Sequence, residues 1–317
     1  VTVISPDDFM LYTPLLPDVA GGLLDARFVA VPLADSLRGA DLITGRVEKV
    51  DLPGRALEVH DREGAVETVH YDRLVLTPGS VTRLFDIPGL AEHARGLKTT
   101  TEALYLRDHL LEQLELAARE TDSAMARARR TVVVVGASYA GAELTAQLRA
   151  LADEVARQRH FDPQEVRFVL LDMADRVMPE VGEKLGDKVL EVLRSRGIDV
   201  RLGTTIDRLT AEVAELSDGT TVATHTVAWA AGVSGNPLIE SLGLPTEKGR
   251  LAVRADLSVP DHPDVFAAGD AAAVPDTTKS DAGAITPPTA QHAVRQGKVL
   301  ARNVLASIGA GTSTDYR

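Results

Sequence analysis

The sequence predicts an α/β fold with mostly parallel sheets, arranged as two domains, and three observations carry the prediction. Short apolar or β-branched runs alternate with segments whose apolar residues recur at helical spacing. One of these runs, Thr131–Val135, stops at Gly136, after which Leu144, Leu148, Leu151 and Val155 mark a helix. A hairpin followed by a strand and a glycine also occurs twice. The first copy runs through Leu57, Val59, the Asp61–Gly64 turn, Val66 and Leu74–Leu76 to Gly79; the second runs through Val213, Leu216, the Asp218-Gly219 turn, Val222 and Thr226–Trp229 to Gly232.

In chain order, Val1–Ile4 is a β-prone run with nothing before it to lead into it. Aligning the two repeats matches Val1–Ser5 with Phe168–Asp172, so a strand, glycine turn and helix of roughly 30 residues is expected upstream of the sequence. Thr100–Glu120 has helical periodicity, and the polar stretch Arg119–Arg130 is expected to divide the domains. Residues 131–172 form a βαβ unit in which Asp153–Glu165 reads as a polar insertion. Leu185, Val189 and Leu193 mark a further helix, ended before Gly197. Val265–Ala268 is a strand, Ala271–Ala273 opens a helix, and a last helix runs through Val299, Leu300 and Val304 behind Pro287 and Pro288. One domain is therefore expected over 1–110 and 250–317, and the other over 111–249.

Composition narrows the chemistry. At 44% hydrophobic and 25% charged residues the 317-residue chain is an ordinary globular one, long enough for two cores. Its net charge of −12 is expected to repel nucleic acid and anionic lipid surfaces alike. The absence of cysteine removes disulfide relays, iron–sulfur clusters and thiolate metal sites, so electron chemistry needs a bound cofactor. The eight histidines lack metal-ligand spacing, and no metal is expected. No run approaches the about 20 apolar residues that span a bilayer, and no signal peptide is recognisable, so the chain reads as soluble and cytoplasmic. A homodimer remains open.

The residues best suited to bind a cofactor fall in three segments. Gly136-Ala137-Ser138-Tyr139-Ala140-Gly141 is a variant of the dinucleotide fingerprint: Gly136 makes the tight turn, Gly141 lets helix pack on strand, and Ser138 stands where the pyrophosphate approaches. Ser138 either lifts the phosphate or donates to it, and the helix start offers free N–H groups to the diphosphate. A plain strand-to-helix turn is the alternative, and the flanking strand, helix and second strand ending in Asp172 favour dinucleotide binding. Asp172, at the end of the next strand, can accept from both hydroxyls of an adenosine ribose and repel a 2′-phosphate, which favours NADH over NADPH. Glu143, on the first helical turn, either lines the nicotinamide pocket or simply answers the helix dipole. In the second segment, Gly269-Asp270 follows a short apolar strand, where a carboxylate can accept from a polyol; a helix N-cap is the alternative. In the third, Thr286–Ala293 opens a helix whose N–H groups could face a reduced flavin. Gly232–Asn236 and Gly79-Ser80 look like post-strand turns.

Together these segments resemble the flavin-dependent pyridine-nucleotide oxidoreductases, and most closely the type II NADH dehydrogenases. The resemblance runs nearly end to end, through LVLTPGS around Thr77 and Gly79, TVAWAAGVSGNPL around Gly232, HPDVFAAGDAAAV and PPTAQHAVRQG. It implies a pair of Rossmann-like domains binding FAD and NADH, and respiratory electron transfer from NADH through FAD to a quinone. It further implies Asp270 on the flavin ribityl chain, Ala290 near the flavin ring, Glu143 beside the nicotinamide and Gln291 at the quinone. Without cysteine, hydride is expected to pass to the flavin and on directly to a diffusible acceptor.

The sequence departs from the family pattern in four places. The family's FAD glycine loop would precede residue 1, Ser5 stands where an acid usually meets the adenosine ribose, and Arg295 replaces the second glutamine of A-Q-x-A-x-Q, with Gln296 one position later. The segment that would attach the protein to the inner face of a membrane would follow Arg317. Arg295 is expected either to donate to the quinone or to point to solvent. A soluble NADH:acceptor reductase and a non-catalytic nucleotide-binding or redox-sensing module are the alternatives.

Overall fold

The computed structural model describes residues 1–279, 281 and 283–317, and the chain falls into two compact units. Unit 1 comprises Val1–Met10, Pro32–Val81 and Val233–Arg317; unit 2 comprises Leu11–Val31 and Thr82–Gly232. These divisions differ from the boundaries at 110 and 249 read from the sequence. The polar stretch 119–130 lies inside unit 2, where Asp122 caps a helix, Ser123–Arg129. Residues 11–31 join unit 2 because Leu16, Val19 and Ala20, all fully buried, pack with Leu106, Leu110, Leu144 and Leu148.

Unit 2 is built on a five-stranded parallel sheet ordered Ala94–Arg95, Thr226–Trp229, Thr131–Val135, Arg167–Asp172, Ile198–Leu202. All five residues of Thr131–Val135 are buried, as the continuous apolar run requires of a central strand covered on both faces. The helices Thr100–Arg119 and Tyr139–Arg159 contribute Leu106, Leu110, Leu144 and Leu148 to one core cluster. A capping box between Thr99 and Glu102 fixes the start of the first helix. The second continues through Arg159 with Ala152 and Ala156 buried, so Asp153–Arg159 of the expected insertion extends this helix. An antiparallel meander, Ile206–Leu209, Val213–Leu216 and Thr221–Ala223, precedes Thr226–Trp229.

Unit 1 repeats the plan. Its antiparallel meander, Arg46–Asp51, Ala56–His60 and Val66–His70, leads into Leu74–Leu76, which pairs in parallel with His262–Ala267. Thr2–Ser5 pairs in parallel with Asp41–Thr44. The repeat extends to single hydrogen bonds at the strand ends: Ser5 Oγ accepts from Asp7 N–H at 3.3 Å, as Asp172 Oδ1 accepts from Ala174 N–H at 2.8 Å. Ser5 is thus the local counterpart of Asp172. Among the described residues, Thr2–Ser5 pairs only with Asp41–Thr44, and Leu74–Leu76 only with His262–Ala267. In unit 2 the matching strands 167–172 and 226–229 both flank 131–135. Accordingly Val75 is 40% exposed while Val227 and Ala228 are buried.

Two local readings are corrected. Gly269–Ala271 is a single 3-10 turn and Ala272–Ala273 a strand that pairs in parallel with Arg250–Ala252. High helix propensity of alanine loses here to burial of Ala271, Ala272 and Ala273 in the unit 1 interior. The residues after Gly79 and Gly232 are short strands, Ser80–Thr82 and Val233–Gly235, with the turns confined to the two glycines at φ +74 and +108.

Candidate functional site

The glycine turn of unit 2 has the geometry of a phosphate cradle. Gly136 sits at φ +105, and a Cβ there would lie 2.4 Å from the Ala230 carbonyl oxygen. A Cβ on Gly141 would lie 1.7 Å from the Gly136 carbonyl oxygen. Both positions exclude every residue but glycine, because the first turn of the helix 139–159 is pressed onto the strand end. Ser138 is the N-cap residue in extended conformation, yet its hydroxyl makes no cap bond. It is therefore available at the mouth of the turn, beside N–H groups that have no partner within the helix.

Asp172 reaches this turn from the neighbouring strand. Its Oδ2 accepts from the Ala137 N–H inside the fingerprint, and its Oδ1 from Ala174 N–H. The carboxylate is half-buried and held by two backbone amides, and about two of its four acceptor positions remain for a ribose. Residues 136–141 and Asp172 are thus brought together as expected, although 30 residues separate them in sequence.

Glu143 lies on the outer face of the same helix, exposed, with its carboxyl held above the ordinary carboxylate range by partial loss of water and by the nearby Asp18 carboxylate. Asp18 accepts from Gln147 Nε2 at 2.8 Å and belongs to the short helix Leu16–Ala20. That helix crosses 139–159 closely, since a Cβ on Gly21 would meet Gln147 Cβ at 2.7 Å. Sequence reading missed Asp18, which lies far from Glu143 along the chain. Gly232, exposed at φ +108, closes the strand 226–229.

In unit 1 the acidic turn is held by two side chains, Ser80 and Gln296. Ser80 Oγ donates to Asp270 Oδ2 at 2.7 Å, Gln296 Oε1 accepts from Gly269 N–H at 2.8 Å, and Gln296 Nε2 donates to Thr286 Oγ1 at 3.2 Å. Arg250 is buried, donates to the Thr286 carbonyl at 2.9 Å and feels the Asp270 charge; burial still pulls its guanidinium below the ordinary range. Among the described residues its Nε is buried without a partner. Asp270 does not cap a helix.

The helix Ala290–Ser307 starts from Thr289, whose hydroxyl accepts from His292 N–H, so the cap and not the prolines sets its first residue. Ala293 lies 3.6 Å from the Cβ position of Gly269, and Ala290 is half-buried one turn earlier. Gln291 and Arg295 are both exposed on the same helix, four residues apart. Gln296, the buried glutamine of that stretch, was the more informative residue: it ties the helix to the Gly269 turn. Thr77 is exposed and Gly79 sits at φ +74 in the loop after Leu74–Leu76.

This donor set fits a flavin's polyol and ring: a half-buried carboxylate, the hydroxyl of Ser80, and small residues at Gly79, Gly269 and Ala293. Among the described residues, unit 1 has no counterpart of the 131–141 strand, turn and helix for the diphosphate. Nor does any group of three or more acidic or histidine side chains among them gather to hold a metal. No helix among them is long and apolar enough to cross a membrane.

A dinucleotide-type glycine turn in unit 2, on an α/β plan that unit 1 repeats, indicates the class, and sequence comparison agrees: the chain belongs to the pyridine nucleotide-disulphide oxidoreductase family, whose model matches residues 1–297. It is 32% identical to the type II NADH:quinone oxidoreductase Ndh of Mycobacterium tuberculosis over 97% of this chain and 67% of that protein. A second such enzyme of the same organism, NdhA, is 33% identical over 90% of this chain and 64% of its own length. The chain thus spans about two thirds of these relatives. In fold it is similar to NDH2 from Plasmodium falciparum in complex with NADH, at 22% identity and TM-score 0.80, over 86% of this chain and 60% of that one.

Proposed function

We propose that the protein is a flavin-dependent oxidoreductase that oxidises NADH and passes the electrons to a quinone, with FAD held in unit 1 and NADH in unit 2. The observation that carries this reading is the Gln296–Gly269 bond, which fastens the Asp270 turn to the helix that also presents Gln291. One helix thereby links a polyol-binding carboxylate to an exposed amide suited to a quinone carbonyl. The curated relatives from Mycobacterium tuberculosis, named NADH:quinone oxidoreductases, support it.

FAD and NADH together supply hydride and electron transfer, chemistry that no side chain of a cysteine-free protein offers. The protein's part is to bind and orient. Gly136 and Gly141 admit a diphosphate to backbone N–H groups, and Asp172 holds the turn and accepts from the adenosine ribose. Asp270 accepts from the ribityl chain, while Ser80 and Gln296 keep its turn in place. Gln291 donates to a quinone carbonyl, with Arg295 one turn along. A peripheral position on a membrane belongs to the same reading, since quinones partition into lipid. Reduction of the visible flavin band by NADH in the FAD-loaded protein, followed by reoxidation with a quinone, tests it; a band unchanged by NADH would exclude it.

A further inference from the structure

Among the described residues of unit 1, Arg250 is the one buried cation, 7% exposed at the head of the strand Arg250–Ala252. The backbone around it is fixed: Gly249 turns into the strand at φ +74, and a Cβ on Gly235 would lie 1.6 Å from the Gly249 carbonyl oxygen. Arginine is almost never buried unless paired, and an orphan donor adds to the cost. A buried guanidinium whose Nε has no partner among the described residues therefore calls for a reason other than stability.

A chain of hydrogen bonds joins Arg250 to the acidic turn. Its Nη1 donates to the Thr286 carbonyl, Thr286 Oγ1 accepts from Gln296 Nε2, and Gln296 Oε1 accepts from Gly269 N–H, next to Asp270. The guanidinium charge is felt at Asp270 and at His292, on the first turn of the helix 290–307. It thus lies near both elements given to the flavin above, the carboxylate for the ribityl chain and the helix start for the ring. Glu247, the other carboxylate that feels it, is exposed, where water weakens its pull.

We propose that Arg250 tunes the flavin, supplying the positive charge that favours the reduced ring over the oxidised one. The inference rests on the placement of FAD in unit 1 proposed above. Hydride from NADH carries two electrons and one proton, and NAD+ leaves, so the flavin ring gains one negative charge. A cation held out of water meets that charge with little screening, and arginine stays protonated there where lysine does not. Asp270 opposes the same charge, and the N–H groups of the helix start offer only partial charges.

Anaerobic titration of the full chain with oxidised FAD and with reduced FAD reads the effect, because the ratio of the two dissociation constants gives the shift in potential on binding. A unit charge about 10 Å away, at an effective dielectric of about 20, shifts such an equilibrium on the order of tenfold. Arg250→Met is therefore expected to lower the preference for reduced FAD about tenfold, or about 30 mV for a two-electron couple. A merely structural role would weaken both forms alike. Arg250→Lys is expected to keep the parent's preference while its ammonium is protonated and to lose it as pH rises, since burial favours the neutral amine. Asp270, Glu247 and His292, the titratable groups that face this position, are the same in parent and variant, so comparison at each pH isolates the substituted residue. An unchanged ratio in Arg250→Met overturns the proposal; where that variant does not fold, a pH-independent offset between Arg250→Lys and the parent does so. Failure of the parent to bind either form of FAD removes the flavin reading itself, whereas binding of both forms with equal ratios in parent and variant removes only the tuning.

Discussion

Replacing Gln296 exposes how the acidic turn of unit 1 is held. Gln296 is 1% exposed and Thr286 2%, so the Thr286 hydroxyl cannot turn to water if the amide is removed, and the Gly269 N–H loses its partner. Leaving a buried donor unpaired costs about 1–3 kcal/mol, and truncation to alanine adds roughly 1 kcal/mol of lost packing. Gln296→Ala is therefore expected to destabilise unit 1 by about 2–4 kcal/mol, and Gln296→Met, which keeps most of the volume, by about 1–3 kcal/mol. Hydrogen exchange of the peptide spanning residues 265–275 reads the effect locally: each 1.4 kcal/mol is about a tenfold loss of protection where local opening governs exchange. The same variants are expected to weaken FAD, because Asp270 sits one residue from the released amide. Exchange at Gly269 and FAD affinity both unchanged in the two variants would refute the role given to this glutamine.

Asp172→Ala is expected to lower NADH affinity and to shrink its preference over NADPH by about 1–3 kcal/mol, measured by titration with both nucleotides; an unchanged ratio removes Asp172 from the ribose site. Gly141→Ala brings a methyl against the Gly136 carbonyl and is expected to abolish NADH binding, with calorimetry of the folded variant as the check. Glu143 is raised by desolvation first and by Asp18 second, so its folded form favours the proton. Stability from this group is present below the ordinary glutamate range and is lost as pH rises through the elevated folded value. Glu143→Gln is thus expected to flatten thermal stability across the mildly acidic range, and Asp18→Asn to do so in part; melting curves as steep as those of the parent would contradict the assignment. Gln291→Ala is expected to slow quinone reduction and leave NADH reduction of the flavin nearly unchanged in stopped flow.

The strands that could be read directly were those buried on both faces, where an apolar run such as Thr131–Val135 has no competing helical period. The duplicated hairpins were equally legible, because turn residues at Asp61–Gly64 and Asp218-Gly219 punctuate them. What escaped reading depends on contacts distant in sequence. Nothing local tells that Leu16 and Val19 leave unit 1 to pack with Leu106 and Leu144, or that Asp18 lies near Glu143. Ala271–Ala273 was misread because alanine propensity says helix while parallel pairing with Arg250–Ala252 gives strand. The motif draws attention to Arg295 and sets Gln296 beside it, and only burial shows which of the two faces the Gly269 turn.

The most direct measurement is an anaerobic absorbance experiment on the FAD-loaded protein. NADH is expected to bleach the flavin band, a quinone then to restore it, and Asp270→Ala to lose both changes through loss of bound flavin. Persistence of the oxidised band after NADH, in protein shown to hold FAD stoichiometrically, would contradict hydride transfer between the two sites and with it the proposed function.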